Sequence, residues 1–379
     1  MTQPASAGMT PAPFVPPPYP YDRLDRFVAV ADEFEGGAVD LSIGTPCDPP
    51  PAAVLEALAT SNTERGYPPS IGTVAFRDAA ARWMHRRFGV EVPPRHIGAC
   101  IGTKELVASL PQHLHLRSPE RDTVLYPAVA YPTYEVGATL AGCRAVAVPA
   151  GADGRTQLDA ISPDDAARAL VLWVNSPSNP TGRVDDLAAA AAWGRAHGVV
   201  VASDECYVEF TWGGRGRTIL EHGVDGVLAV HSLSKRSNLA GMRVGFYAGD
   251  PDLVHYLHEV RKHAGAMVPG PAQAAGVAAF DDDAHVDAQR ERYRRRLERL
   301  AAVLSQWSGI DIAMPAGGFY LWFEVGDAWS FTERLAREGG AIVSPGEFYG
   351  ADASRWIRVA VVQPDPRIEL VAQRLGVGG

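Results

Sequence analysis

The chain has 379 residues, 46% hydrophobic and 21% charged, enough for two domains or one large one around a buried core. Its net charge of −9 argues against a phosphate-backbone binder, and Cys47, Cys100, Cys143 and Cys206 lack the spacing of a zinc site or a disulfide framework. No apolar run approaches the roughly 18 residues of a membrane span, and the N-terminus lacks a basic region followed by an apolar one, so a soluble cytoplasmic protein without a metal site is expected.

Residues 1–20, "MTQPASAGMTPAPFVPPPYP", are proline-rich and expected to be an extended or disordered tail. Helical spacing of Leu24, Phe27, Val28 and Ala31 follows in "YDRLDRFVAVADEF". After "VDLSIGTPCDPP", short apolar strands alternate with longer amphipathic helices. The clearest strands are "TVLYP", "RAVAVPA", "ALVLWVN", "VVVASDE", "GVLAVHS" and "GFYAGD". Helices "TKELVASLPQHL", "YPTYEVGATLAG" and "DDLAAAAAWGRAH" lie between some of them. Continuous apolar strands with helical crossovers predict an α/β fold, a mostly parallel sheet flanked by helices on both faces.

From about residue 280 the pattern changes. A long charged helix, "DAQRERYRRRLERLAAVLSQW", leads to "GGFYLWFEV", "AIVSPG" and "WIRVAVV", which fits a smaller α+β domain. The expected division is a tail at 1–20, an arm at 21–45 belonging to the small domain, a large domain at 46–280 and the small domain at 281–379. The arginines of "RERYRRRLER" alternate with Glu291 and Glu298, which reads as a solvated helix face rather than a nucleic-acid surface.

Ligands of open parallel sheets bind beyond the carboxyl ends of the strands. There "ALVLWV" runs into "NSPSNPTG", "VVVAS" into Asp204-Glu205, and "GVLAVHS" into Lys235. A lysine drawn into a partly dry pocket loses ammonium character, and a neutral amine can condense with an aldehyde. An aldehyde with a phosphate handle needs an anion site. Ser232, Ser234 and Arg243 can form one, as can Gly102-Thr103-Lys104 in "GTKEL", where a helix begins. Alone, "GTKEL" is an ordinary helix start and "NSPSNPTG" a turn-rich loop. A nucleotide-binding reading lacks both G-x-x-x-x-G-K-[ST] and a G-x-G-x-x-G after a strand.

In combination, "SLSKRSNLAGMRVG", "SPSNPTG", "SDECY" and "AYPTY" resemble the class I/II aminotransferases, fold-type I enzymes that use pyridoxal 5′-phosphate (PLP). The resemblance spans roughly residues 40–365. It implies a large domain with a seven-stranded, mostly parallel sheet, a smaller α+β domain and a homodimer. By the same resemblance, Lys235 carries the cofactor and moves a proton between substrate and cofactor. Asp204 partners the pyridine nitrogen, while Tyr207 and Asn179 hydrogen-bond the phenolic oxygen. Tyr131 stacks on the ring. Arg243, Ser232, Ser234, Gly102, Thr103 and Lys104 hold the phosphate, and Tyr67 in "GYPPSIG" reaches the neighbouring subunit's phosphate. Arg358 grips the substrate α-carboxylate through its fork of donors, beside Asn179. Gly44 in "SIGTP" lies close to the substrate, or is simply a turn glycine.

Within the family the wording is most similar to actinobacterial-type N-succinyldiaminopimelate aminotransferases of lysine biosynthesis. These transfer an amino group between glutamate and N-succinyl-2-amino-6-oxopimelate. Such anionic substrates call for further cations. Arg236, Arg261, Lys262 and His263 are candidates, and each singly reads more simply as a surface or packing residue. Met242, Ala266 and Gly270 depart from the expected pattern and leave the substrate open. A paralogue of a secondary pathway, or a PLP-dependent lyase on the same fold, stays as an alternative.

Overall fold

Seven short strands form the main sheet. They are β1 (Ile97–Cys100), β2 (Thr123–Pro127), β3 (Arg144–Val148), β4 (Ala169–Asn175), β5 (Val200–Asp204), β6 (Val227–Ser232) and β7 (Gly245–Gly249). The structure, a computed structural model, describes residues 14–16 and 18–377, so residues 1–13 and 17 of the proline-rich stretch lie outside the described residues. The strand order is β1-β7-β6-β5-β4-β2-β3; β7 runs antiparallel to β1 and β6, and the other neighbours are parallel. Every residue of β4 and β6 is buried, because both sheet faces are covered, and a doubly covered strand needs no polar alternation. β1 was not among the strands legible as apolar runs; it is four residues long and holds Gly98 and Cys100.

Helices α1 (Val74–Phe88), α2 (Thr103–Arg117), α3 (Thr133–Leu140), α4 (Leu187–His197), α5 (Pro251–His263) and α6 (Gly270–Asp281) accompany the sheet. One apolar cluster joins Trp83 and Phe280 to Leu172 and Phe246 of the sheet. A second joins Leu106, Tyr134 and Leu257 to Trp173 and Tyr247. α4 shows why its boundaries fall where they do. The Asp186 carboxylate accepts from the Ala189 amide at its start, and Gly198 ends it with φ 60°.

A three-stranded antiparallel sheet has Trp356–Ala360 at its centre, between Ser344–Pro345 and Tyr320–Glu324. Val39–Asp40 pairs in parallel with Ala341–Ile342, which supports our proposed grouping of the 21–45 arm with the C-terminal unit. The charged run lies on α7 (Ala284–Ser308), and its reading as a wholly solvated face is corrected. Arg294 pairs with Glu291 and Glu298 in solvent. Arg296 falls instead on the face of Tyr293 and Leu300, where it is buried and bound bidentately to Asp48 at 2.7 and 2.9 Å. No helix among the described residues is long and apolar enough to cross a membrane.

Candidate active site

A cavity of about 810 Å³ opens beyond the carboxyl ends of β4, β5 and β6. Of the residues singled out from the sequence, Gly44, Thr103, Lys104, Tyr131, Asn179, Asp204, Tyr207, Ser232, Ser234, Lys235, Arg243 and Arg358 line it. Among the described residues its charged lining is Lys104, Lys235, Arg243 and Arg358 against Asp204, an electrostatic setting for an anionic ligand.

Lys235 sits in the one-turn helix Leu233–Arg236 that follows β6. Its Nζ donates to the Gly44 carbonyl at 2.5 Å. Burial pulls its pKa down to about 8, and the nearby Arg358 and Arg243 guanidinium groups act in the same direction. A substantial neutral-amine fraction at mildly alkaline pH follows.

Asp204 ends β5 and is buried. Its carboxylate accepts from the Tyr134 hydroxyl at 2.9 Å and the Cys206 amide at 3.1 Å. Burial nonetheless raises its pKa above the usual carboxylate value. Such a group is stabilised by a cation laid against it, as a protonated pyridine nitrogen would be.

Thr103 and Lys104 open α2, whose backbone N–H groups face an incoming anion. Gly102 precedes them at φ 68°, ψ 152°, and a Cβ there would lie 2.5 Å from the Arg243 Cζ. Only glycine lets that guanidinium lie against the helix start. Arg243 itself has φ 54° and donates to the Ala240 carbonyl at 2.9 Å. The Ser232 hydroxyl accepts from the Ser234 amide at 3.1 Å. PLP, implied by the sequence resemblance, fits these groups: an amine, a buried carboxylate and a glycine-shaped cradle carrying a guanidinium.

Arg358 is 2% exposed. Its Nη1 donates to Asn179 Oδ1 at 2.8 Å, and its Nη2 donates to the Tyr21 hydroxyl at 3.2 Å and to the Ser42 carbonyl. The guanidinium carbon lies 4.2 Å from the Tyr320 ring centroid and 4.7 Å from that of Tyr349. Among the described residues its Nε has no hydrogen-bond partner. Gly44 is not among the positive-φ glycines, so no left-handed backbone requires it. A Cβ there would lie 2.7 Å from Tyr320 Cζ, and the close approach of that ring is what requires glycine.

The other candidate cations lie elsewhere. Arg236 is buried against Glu209 at 3.5 Å and the Ala279 carbonyl at 2.8 Å. Arg261 is held bidentately by Glu105, both bonds 2.8 Å. Lys262 and His263 are exposed on α5, off the cavity. Ala266 and Gly270 also lie off it, and a Cβ on Gly270 would meet Thr63. Tyr67 is 96% exposed and does not reach the cavity of its own chain.

Sequence reasoning missed Tyr21, Tyr134, Tyr320 and Tyr349. Tyr207 and Asn179 both line the cavity; the Tyr207 hydroxyl lies 2.9 Å from that of Tyr320, and Asn179 turns its oxygen to Arg358. Of the proline-rich stretch, Phe14, Pro16, Pro18, Tyr19 and Pro20 line the cavity beside Tyr21. The proline spacing gave a signal for extended chain but none for where it lies.

The model of the family described as aminotransferase class I and II matches residues 37–375. The chain is 43% identical over 370 residues to the 4-dedimethylamino-4-oxo-anhydrotetracycline transaminase OxyQ of Streptomyces rimosus, covering 95% of this chain and 99% of that one. It is 33% identical over 375 residues to the LL-diaminopimelate aminotransferase of Aquifex aeolicus, covering 95% and 96%. Among solved structures, a probable N-succinyldiaminopimelate aminotransferase from Thermus thermophilus superposes with a TM-score of 0.85 at 32% identity, over 94% of this chain and 99% of that one. With its fold, its cavity and these relatives in agreement, the chain belongs to the class I/II aminotransferases, enzymes of fold type I that use pyridoxal 5′-phosphate.

Proposed function

We propose that this aminotransferase moves an amino group between glutamate and a 2-oxo acid, with N-succinyl-2-amino-6-oxopimelate as the first acceptor to test. The observation that carries the reading is one cavity holding an amine of lowered pKa, a buried carboxylate and a buried guanidinium with an unpartnered Nε. When bound, PLP supplies the electron sink for breaking the substrate Cα–H bond. Lys235 Nζ takes that proton and returns it, for which a pKa near working pH is suited. Asp204 holds a cation at the ring nitrogen, and Tyr207 and Asn179 orient the phenolic side. Tyr131 covers the ring, and Gly102, Thr103, Lys104, Ser232, Ser234 and Arg243 retain the phosphate. Arg358 fixes the α-carboxylate. Tyr67, so exposed in the single chain, serves the site of a second subunit in a homodimer.

A second reading has its own support. The cavity wall carries Phe14, Pro16, Pro18, Val136 and Leu140, and among the described residues Lys104 is its only cation besides Lys235, Arg243 and Arg358. A bulky, weakly charged carbonyl acceptor of a secondary pathway suits that wall better than a tricarboxylate, in line with the 43% identity to a tetracycline-pathway transaminase. The deciding experiment is an acceptor panel with glutamate as donor, including N-succinyl-2-amino-6-oxopimelate, simple 2-oxo acids and polycyclic ketones. Turnover of the first compound alone supports the first reading, and turnover of only the ketones supports the second. Absence of 2-oxoglutarate formation with every acceptor, from PLP-loaded protein, overturns both.

A further inference from the structure

Beneath the sheet, on the side away from the cavity, lies a buried titratable pair with no role in the reaction described above. Glu205 follows Asp204 at the end of β5, and His231 precedes Ser232 at the end of β6. Each is therefore one residue from a group lining the cavity, with its side chain on the opposite face. His231 Nε2 lies 3.3 Å from Glu205 Oε2, and their side chains are 2% and 0% exposed. Among the described residues neither atom, nor His231 Nδ1, has a well-formed hydrogen bond, and the Ser203 and Thr218 hydroxyls lie beside the carboxylate. The other carboxylate oxygen accepts from the Ile219 amide at 2.8 Å. Trp83 and Phe88 of α1 and Phe246 of β7 pack around the imidazole.

A buried carboxylate oxygen and an imidazole nitrogen at this distance are satisfied together by a proton between them. We propose that Glu205 and His231 share that proton and act as positioning residues, tying the ends of β5 and β6 together so that Asp204 and Lys235 keep their relation to the cofactor. The proposal rests on the PLP reading above. The register supports it, since Asp204 pairs with Val230 and the Glu205 amide donates to the Val230 carbonyl at 2.9 Å.

The charged groups facing the pair are few. Arg236, on the turn after β6, disfavours a charged imidazole, and Asp204 disfavours a charged Glu205. The segment over Glu205 adds Thr218 and the Ile219 amide, and α1 and β7 contribute only aromatic rings. Burial pushes Glu205 up to about 8 and His231 down to about 3, so the imidazole stays neutral. Below pH 8 the carboxyl donates to Nε2, and Nδ1 carries the ring proton. Above it the carboxyl proton passes to Nε2, the Nδ1 proton leaves to solvent, and Nε2–H donates to the carboxylate.

Nitrogen-15 NMR of histidine-labelled full-length protein between pH 6 and 10 reads this exchange directly, with or without cofactor. An exchange of ring-nitrogen identities in His231 near pH 8, absent in Glu205→Gln, is expected. The second readout is PLP affinity of the apoprotein by fluorescence quenching. Glu205→Gln keeps a donor for Nε2 and an acceptor for the Ile219 amide, so it should bind within about twofold of wild type, without the wild-type inflection near pH 8. Glu205→Leu, or His231→Phe should the first not fold, should bind about tenfold more weakly. A single His231 tautomer from pH 6 to 10, or wild-type affinity in a folded Glu205→Leu, overturns the proposal. Wild type that binds no PLP overturns the underlying reading instead, and the NMR exchange still decides whether the pair shares a proton.

Discussion

Replacing Gly102 by alanine puts a methyl group where the Arg243 guanidinium lies, 2.5 Å from its Cζ. The backbone holds φ 68° there, and a non-glycine residue so placed costs about 1–3 kcal/mol. Unfolding entropy near 2.1 cal/mol/K per residue amounts to about 0.8 kcal/mol/K for this chain, so the melting temperature should fall by about 1–4 °C. The second effect is local. Arg243 must swing away, and each charge-assisted contact to a phosphate that it loses is worth about 1.5–3 kcal/mol, or about 10- to 150-fold in affinity. PLP titration of apoprotein, followed by fluorescence quenching, measures the affinity, and a thermal melt of the same sample measures the stability. At saturating PLP, kcat should largely recover, because Lys235 and Asp204 are untouched. Should Gly102→Ala melt as expected yet bind PLP within twofold of wild type, the assignment of Arg243 and the α2 start as the phosphate cradle is wrong.

Gly44→Ala should act at the other end of the cavity. Its Cβ would meet Tyr320 Cζ at 2.7 Å, and that ring supports both Arg358 and the Tyr207 hydroxyl. KM for glutamate should rise about tenfold or more with PLP affinity unchanged, and steady-state kinetics beside the PLP titration check it. Lys235 sets a pH dependence. Its folded pKa lies near 8, below the unfolded value, so its ammonium form penalises the fold below pH 8, and the penalty is lifted as pH rises toward about 10.5. Borohydride trapping of PLP on apoprotein should therefore accelerate through pH 8 and level off by about pH 9; a rate still climbing tenfold per unit to pH 10 contradicts the lowered pKa.

The cofactor end of the site was legible because it is local. Lys235, Asp204 and the "SPSNPTG" loop each follow an apolar strand directly, and β4, β5 and β6 are hydrogen-bonded neighbours. A pattern read along the chain thus coincides with adjacency in space. The substrate end is assembled from far apart. The Tyr21 hydroxyl meets that of Tyr349 across 328 residues, and Arg358 bonds Ser42 across 316. Tyrosines in apolar segments such as "GGFYLWFEV" look like core, and Tyr320 and Tyr349 are indeed buried, so no local feature separates them from packing residues. Arg236 and Arg261 bear out the simpler reading given to each of them, that of a packing residue. An anionic substrate made them candidates for the pocket, but Glu209 and Glu105 hold them inside the protein.

The way Arg358 is held has a consequence for how such a chain can change. The parts that retain the cofactor come from residues 102–243, on strand ends that every substrate would share. Much of the remaining wall, Phe14, Pro16, Pro18, Tyr19, Tyr21 and Ile43, comes from the early part of the chain. On the proposed roles, selectivity and chemistry would sit on largely separate stretches of the polypeptide. Exchanging the leading segment between relatives should redirect which carbonyl compound is accepted while the reaction itself stays in place.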